Sequence, residues 1–143
     1  MSDNPFVGKW SYRSLLNDPD LSKAFNDLEF GAGTIVINDA PMQLLTGTIG
    51  GTGWSLDLKG ARAYGNPMSV RFQGKGIVNG EEWIYDYEGW LVPAWPNGVQ
   101  QVPAMVGSIV RTVPHSGSPP KDGGPPPINP AGVVASWYAV KAS

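Results

Sequence analysis

The alternation of apolar and polar side chains, broken at short intervals by glycine, proline and asparagine, is what most constrains this chain. A two-residue period is the spacing of a β-strand with one buried face. The pattern predicts eight strands, over residues 7–15, 29–38, 43–50, 54–64, 68–78, 81–92, 102–113 and 132–142. The one stretch with helical character, residues 18–28, predicts no more than a turn or two inside a loop. An all-β fold is therefore predicted.

The segments between the strands are rich in turn residues. Asn79 and Gly80 suit a type I′ hairpin because both tolerate positive φ, and residues 50–53 and 65–67 are also typical of turns. Consecutive strands joined in this way form an antiparallel meander, and closure into a barrel removes both exposed edges. We therefore predict one domain, residues 1–143, folded as an eight-stranded antiparallel up-and-down β-barrel. Its interior would be about wide enough for side chains or one small ligand.

Composition excludes several classes of function. The net charge of −2 and the scattered Lys and Arg residues provide no basic surface, so neither nucleic acid nor a membrane is an expected partner. The chain has no cysteine and one histidine, so no metal site is expected. The chain has no phosphate-binding motif, so no cofactor is expected. The N-terminus does not resemble a secretory signal, which favours a cytoplasmic location, although a mature exported protein would look the same.

The stretch GKWSYRS, residues 8–14, opens the first predicted strand with a G-x-W motif. It resembles the opening of calycin barrels, the group that holds lipocalins, fatty-acid-binding proteins and avidins, and is most similar to avidins. The resemblance implies that Trp10 plugs the closed end of the barrel, and that Tyr12 and Ser14 touch the ligand. Lipocalins carry an arginine over this tryptophan near the end of the last strand, where this chain has Lys141. The aromatic motifs of the avidin biotin site do not align, so biotin is not implied.

The alternation also sorts side chains between interior and exterior. Charged residues in the fourth to sixth strands mark the outer face, which leaves Trp90 and Trp95 outside the barrel. In the last two strands, we expect the side chains of Arg111 and Trp137 to face inward. The residues then facing outward are Val106, Val110, Val134, Tyr138 and Val140. Such an apolar surface indicates a homodimer or larger oligomer through these two strands, although scattered surface apolar residues are the alternative.

Two long loops, residues 16–28 and 114–131, follow odd-numbered strands and therefore fall at the same rim. Long loops in compact domains are often functional lids, although the Pro-rich second loop could equally be a disordered excursion. Aromatic and polar residues near this rim and inside the barrel predict a small-molecule site. The candidate ligand-binding residues are Tyr12, Ser14, Phe30, Trp54, Phe72, Trp83, Tyr85, Tyr87, Arg111 and Trp137. The alternative is that these rings simply fill the interior.

Two residues near the rim bear on the chemistry of the site. An inward guanidinium at Arg111 needs a partner, which would be either a ligand anion or an acidic residue of the first long loop, Asp18, Asp20 or Asp27. His115 is expected to be a solvent-exposed loop residue rather than a catalytic one. No Ser-His-Asp arrangement is indicated, because the chain lacks a G-x-S-x-G motif.

Three classes of function remain open. We favour binding of a small hydrophobic or amphipathic ligand, oriented by Arg111, Tyr12 and Tyr85. The first alternative is an enzyme of the cyclase or isomerase type, for which barrel-shaped allene oxide cyclases and dirigent proteins provide an architectural parallel. An inward acid or base with a perturbed pKa would distinguish it, and none is evident in the strands. The second alternative is an interaction protein that uses the Pro-rich loop.

Overall fold

The structure is a computed structural model and describes residues 4–117 and 122–142. Eight strands form the barrel, and two strands of two residues each pair with one another between the seventh and the last of them. The barrel strands are β1 (Gly8–Leu16), β2 (Glu29–Asn38), β3 (Leu44–Gly51), β4 (Trp54–Ala63), β5 (Ser69–Val78), β6 (Glu81–Leu91), β7 (Ala104–Arg111) and β10 (Val134–Lys141). The short strands are β8 (His115–Ser116) and β9 (Ile128–Asn129), and a 3-10 helix, Phe25–Leu28, precedes β2.

The strand order is β1-β10-β7-β6-β5-β4-β3-β2, closed by the pairing of β1 with β2. Every neighbouring pair in the barrel is antiparallel. The predicted up-and-down barrel is therefore confirmed, with most predicted strand ends within two residues of those observed. The β5–β6 turn also has the expected backbone, because Asn79 and Gly80 adopt φ angles of 52° and 80°.

The interior contains the side chains that alternation assigned to it. Tyr85, Tyr87 and Arg111 are buried, whereas Trp90 is partly exposed and Trp95 is 74% exposed. The outward residues of β7 and β10 lie side by side, since Val106 is paired with Tyr138 and Val110 with Val134. Val106, Val134 and Tyr138 are exposed, whereas Val110 and Val140 are half-buried, and the homo-oligomer through these strands remains a prediction. Among the described residues, no helix is long and apolar enough to cross a membrane.

One end of the barrel is sealed by residues that precede and open β1. Phe6 and Trp10 are both fully buried, and the indole Nε1 of Trp10 donates a hydrogen bond of 2.9 Å to the carbonyl oxygen of Phe6. The ammonium of Lys141 lies 5.7 Å from the centre of the Trp10 ring, a cation–π distance. The turns β2–β3 and β4–β5 and the β6–β7 connection belong to this end.

A layer of four aromatic side chains fills the middle of the barrel: Tyr12, Phe72, Tyr87 and Trp137. The rings of Phe72 and Tyr87 are stacked with centroids 4.9 Å apart, and the ring of Trp137 lies 6.0–6.2 Å from those of the other three. Aromatic pairs at these distances stabilise a core beyond the area that they bury. These four rings therefore act as a structural floor between the sealed end and the opposite rim.

Gly89 makes room for this layer, because a Cβ atom there would lie 2.5 Å from the Trp137 ring and 2.9 Å from the carbonyl oxygen of Val106. We expect Gly89→Ala to lower the free energy of unfolding by about 1–3 kcal/mol, the usual cost of overpacking. Chemical denaturation would measure it. Gly31→Ala is the matched control, since its Cβ would be no closer than 3.4 Å to the nearest atom, Ser14 Oγ. Equal losses in the two variants would contradict the steric explanation.

Candidate functional site

A cavity of about 450 Å³ opens at the rim where the odd-numbered strands β1 to β7 end. The predicted residues that line it are Tyr12, Phe30, Trp54, Trp83, Tyr85, Tyr87 and Arg111. The remaining lining residues are Gly31, Thr52, Gly53, Leu56, Val78, Asn79, Ile109, His115, Ser116, Gly117 and Asn129. The cavity thus combines the interior of the barrel with its hairpin turns and with the segment between β7 and β10.

Three predicted site residues lie outside the lining of this cavity. Ser14 is fully buried, and its hydroxyl donates a hydrogen bond of 3.4 Å to the carbonyl oxygen of Gly31. Phe72 and Trp137 belong to the aromatic layer, where the indole Nε1 of Trp137 donates to the carbonyl oxygen of Ser108 at 2.9 Å. For these three, the structure places the side chain in the core and not at the cavity surface.

Four aromatic rings contribute to the wall above that layer. The rings of Trp54 and Trp83 lie 6.3 Å apart at 34°, and Phe30 meets Tyr85 edge to face at 5.9 Å. The buried Nε1 of Trp83 has no hydrogen-bond acceptor among the described residues. Walls of this kind bury flat apolar groups and leave orientation to the few polar atoms between them.

Arg111 ends β7 and is only 8% exposed. Its Nε donates to the hydroxyl of Tyr85 at 3.1 Å, its Nη1 donates to the carbonyl oxygen of Pro130 at 3.2 Å, and its guanidinium lies 4.8 Å from the centre of the Phe30 ring. Its other N–H groups have no partner within the described ranges.

The acidic partners considered for Arg111 are not found beside it. Asp18 pairs with Lys23, and Asp20 accepts hydrogen bonds from Ser22. The ion pairs found between described residues, which include Lys23–Asp18, Arg71–Glu88 and Lys75–Glu82, do not involve Arg111. Arg111 is therefore a buried cation held by neutral groups.

The expectation that His115 is exposed is wrong. The side chain is only 4% exposed, and its ring stacks on Trp83 with centroids 4.0 Å apart. Its Nε2 lies 2.6 Å from the hydroxyl oxygen of Tyr85, and its Nδ1 lies 2.9 Å from the carbonyl oxygen of Ser116. Because a carbonyl oxygen only accepts, Nδ1 carries the proton, and Nε2 accepts the hydrogen bond from Tyr85.

The backbone around His115 is anchored across the rim. The N–H of Ser116 donates to a carboxylate oxygen of Glu81 at 3.1 Å, and the N–H of Gly117 donates to the carbonyl oxygen of Pro127 at 2.8 Å. In addition, β8 pairs with β9, with His115 opposite Asn129. Residues 115–117 and Asn129 of the second long loop therefore line the cavity. No residue of the first long loop lines it.

Burial determines the charge state of the site near neutral pH. It raises the pKa of Tyr85, an effect that the neighbouring Arg111 opposes, and it raises the pKa of Tyr12 to about 12. Burial also lowers the pKa of His115 below its usual 6.5. The phenols are therefore protonated and the imidazole is neutral, while a guanidinium keeps its charge. Among the described lining residues, Arg111 carries the charge of the cavity.

Comparisons with protein-family models, curated proteins and solved structures found no match. The function must therefore be inferred from the site itself. Within residues 4–117 and 122–142, no three histidine or carboxylate side chains are grouped so as to hold a metal ion. What the cavity offers to a ligand is an aromatic wall, one buried cation and a phenol–imidazole pair.

Proposed function

We propose that this protein binds a small amphipathic molecule that carries one anionic group, with its flat apolar part between the aromatic walls and its anion at Arg111. The observation that carries the proposal is the burial of Arg111 without a carboxylate among the described residues. A buried charge is costly unless it is paired, and a guanidinium matches the geometry of a carboxylate.

The size and position of the cavity support the same proposal. Its volume of about 450 Å³ lies within the range of roughly 300–1,000 Å³ that is typical of small-molecule sites. It lies above the aromatic layer, at the end of the barrel opposite Trp10. That arrangement agrees with the calycin-like reading, in which the first-strand tryptophan closes one end and ligands enter at the other. The cation of Lys141 beside Trp10 supports this reading further.

The alternative of an interaction protein is less well supported by the described part of the Pro-rich loop. Its flanks are engaged by Arg111, through the carbonyl oxygen of Pro130, and by Glu81, through the N–H of Ser116. We propose that residues 115–117 and Asn129 of this loop form one side of the ligand site.

A pair of probes that differ only in charge tests the proposal. Isothermal titration calorimetry should show that 3-phenylpropionate binds more tightly than its neutral amide, 3-phenylpropanamide. Hydrogen bonds to charged groups contribute about 1.5–3 kcal/mol, so we expect a preference of about 10- to 150-fold. Equal affinities for the two probes, or no binding of either, would contradict the proposal.

A further inference from the structure

We propose that the same cavity catalyses proton transfer at a carbon atom next to a carbonyl group, with Tyr85 as the acid–base group and His115 as the acceptor of its proton. This inference rests on the proposed function, because Arg111 would hold the anionic end of the same ligand. It assigns a reaction to the site, namely the interconversion of keto and enol forms of an aromatic 2-oxo acid.

The hydroxyl of Tyr85 lies between a donor and an acceptor. Arg111 Nε donates to it at 3.1 Å, and the hydroxyl donates in turn to His115 Nε2 at 2.6 Å. When its proton moves to the imidazole, the resulting phenolate is stabilised by the guanidinium beside it. The phenol oxygen can then take a proton from a ligand, because Tyr85 lines the cavity. Tyr85 and His115 together thus act as the base, and neither side chain needs an adjacent carboxylate.

Each proton and electron pair in the reaction can be followed. The C3–H bond of the 2-oxo acid breaks, its proton goes to the Tyr85 oxygen, and the Tyr85 proton goes to His115 Nε2. The electron pair of that bond forms the C2–C3 double bond, and the carbonyl π electrons move to the oxygen. The enolate oxygen then receives a proton back along the same path, from His115 through Tyr85. The products are the enol and the original side chains, so no further reactant is needed.

Arg111 and the aromatic walls indicate the class of substrate. The N–H groups of Arg111 that have no partner among the described residues are suited to the carboxylate and to the oxygen on which negative charge develops. The rings of Trp54 and Trp83 provide a wall for an aromatic substituent. A molecule with an aryl group, a C–H next to a carbonyl and a carboxylate beyond it matches all three features.

The reaction needs His115 neutral, which makes its pH dependence informative. The charged and titratable groups around the imidazole are Tyr85 and Glu81 from β6 and Arg111 from β7. Burial and the charge of Arg111 lower the pKa of His115, whereas Glu81 raises it. The rate should therefore increase with pH through a pKa below 6.5 and level off near neutrality.

The test uses phenylpyruvate in D₂O, with exchange of its benzylic protons followed by proton NMR. The wild-type protein should accelerate exchange above the rate in buffer, and Tyr85→Phe should reduce the acceleration about 100-fold or more, because general acid–base groups contribute about 10²–10⁴-fold. Tyr64→Phe is the matched control, since Tyr64 is exposed and does not line the cavity. It should exchange as the wild type does.

His115→Gln separates proton acceptance from a structural role. Glutamine keeps an acceptor atom but cannot take up the proton, so we expect a slower rate without the rise below pH 6.5. An unchanged pH profile would overturn the assignment of His115. If 3-phenylpropionate binds and phenylpyruvate exchange is not accelerated, this inference fails and the binding function stands. If neither compound binds, both fail.

Discussion

Replacing Trp137 with alanine is expected to lower the free energy of unfolding by about 3–5 kcal/mol. The side chain is 2% exposed, and its ring contacts Tyr12, Phe72 and Tyr87 in the layer that fills the barrel. Its removal leaves a cavity among rigid rings, strands the carbonyl oxygen of Ser108 without its donor, and deletes a large apolar surface. Single domains are usually stable by about 5–15 kcal/mol, so the loss would be a large fraction of the total.

Urea denaturation of Trp137→Ala and Trp95→Ala would measure this effect against a matched control. Trp95 is 74% exposed, so its truncation should change the stability by no more than about 0.5 kcal/mol. If Trp137→Ala were as stable as Trp95→Ala, the aromatic layer would not be the structural floor described above.

Replacing Arg111 with methionine is expected to weaken binding of 3-phenylpropionate by about 10- to 150-fold, while affinity for the neutral amide stays nearly the same. Methionine keeps most of the volume and removes the charge. Because a buried cation contributes little net stability, we expect the variant to fold and to unfold at a similar or higher denaturant concentration. Calorimetry with both probes, together with urea denaturation, would measure the two effects separately.

Arg71→Met is the matched control, because the Arg71 side chain is exposed on the outer face of β5 and pairs with Glu88. It should bind both probes as the wild type does. A loss of affinity for the carboxylate in both variants would indicate a general effect of charge. A full affinity in Arg111→Met would show that the anion lies elsewhere and would remove the basis of the proposed function.

Strand alternation predicted which side chains face inward, because successive side chains on a strand must point to opposite faces. It placed Tyr85, Tyr87 and Arg111 inside and Trp90 outside, as observed. Alternation does not predict how far along the barrel axis a side chain lies. Strands in a barrel tilt by about 35–45°, so residues at similar positions in different strands lie at different levels. Phe72 and Trp137 therefore lie inside the barrel, as alternation predicts, but outside the cavity lining, and their contact with a ligand stays a prediction.

Alternation does not predict the orientation of His115, because this residue lies beyond the end of β7, four residues after Arg111. Its position depends on the pairing of His115 with Asn129 across the Pro-rich segment. The sequence around these two residues does not predict that pairing. The sequence contained one usable indication, since a long loop beside an aromatic rim often contributes to a site. The same indication is misleading for residues 16–28, where Asp18 and Asp20 bond within their own loop and no residue lines the cavity.

The sealed end of the barrel limits how a molecule can enter and leave the cavity. Phe6, Trp10 and the aromatic layer close the passage below it, so a molecule that enters at the rim must leave by the same route. At about 450 Å³, the cavity has the size of a site for one small molecule. On the proposed function, one ligand would therefore have to leave by the rim before another could take its place.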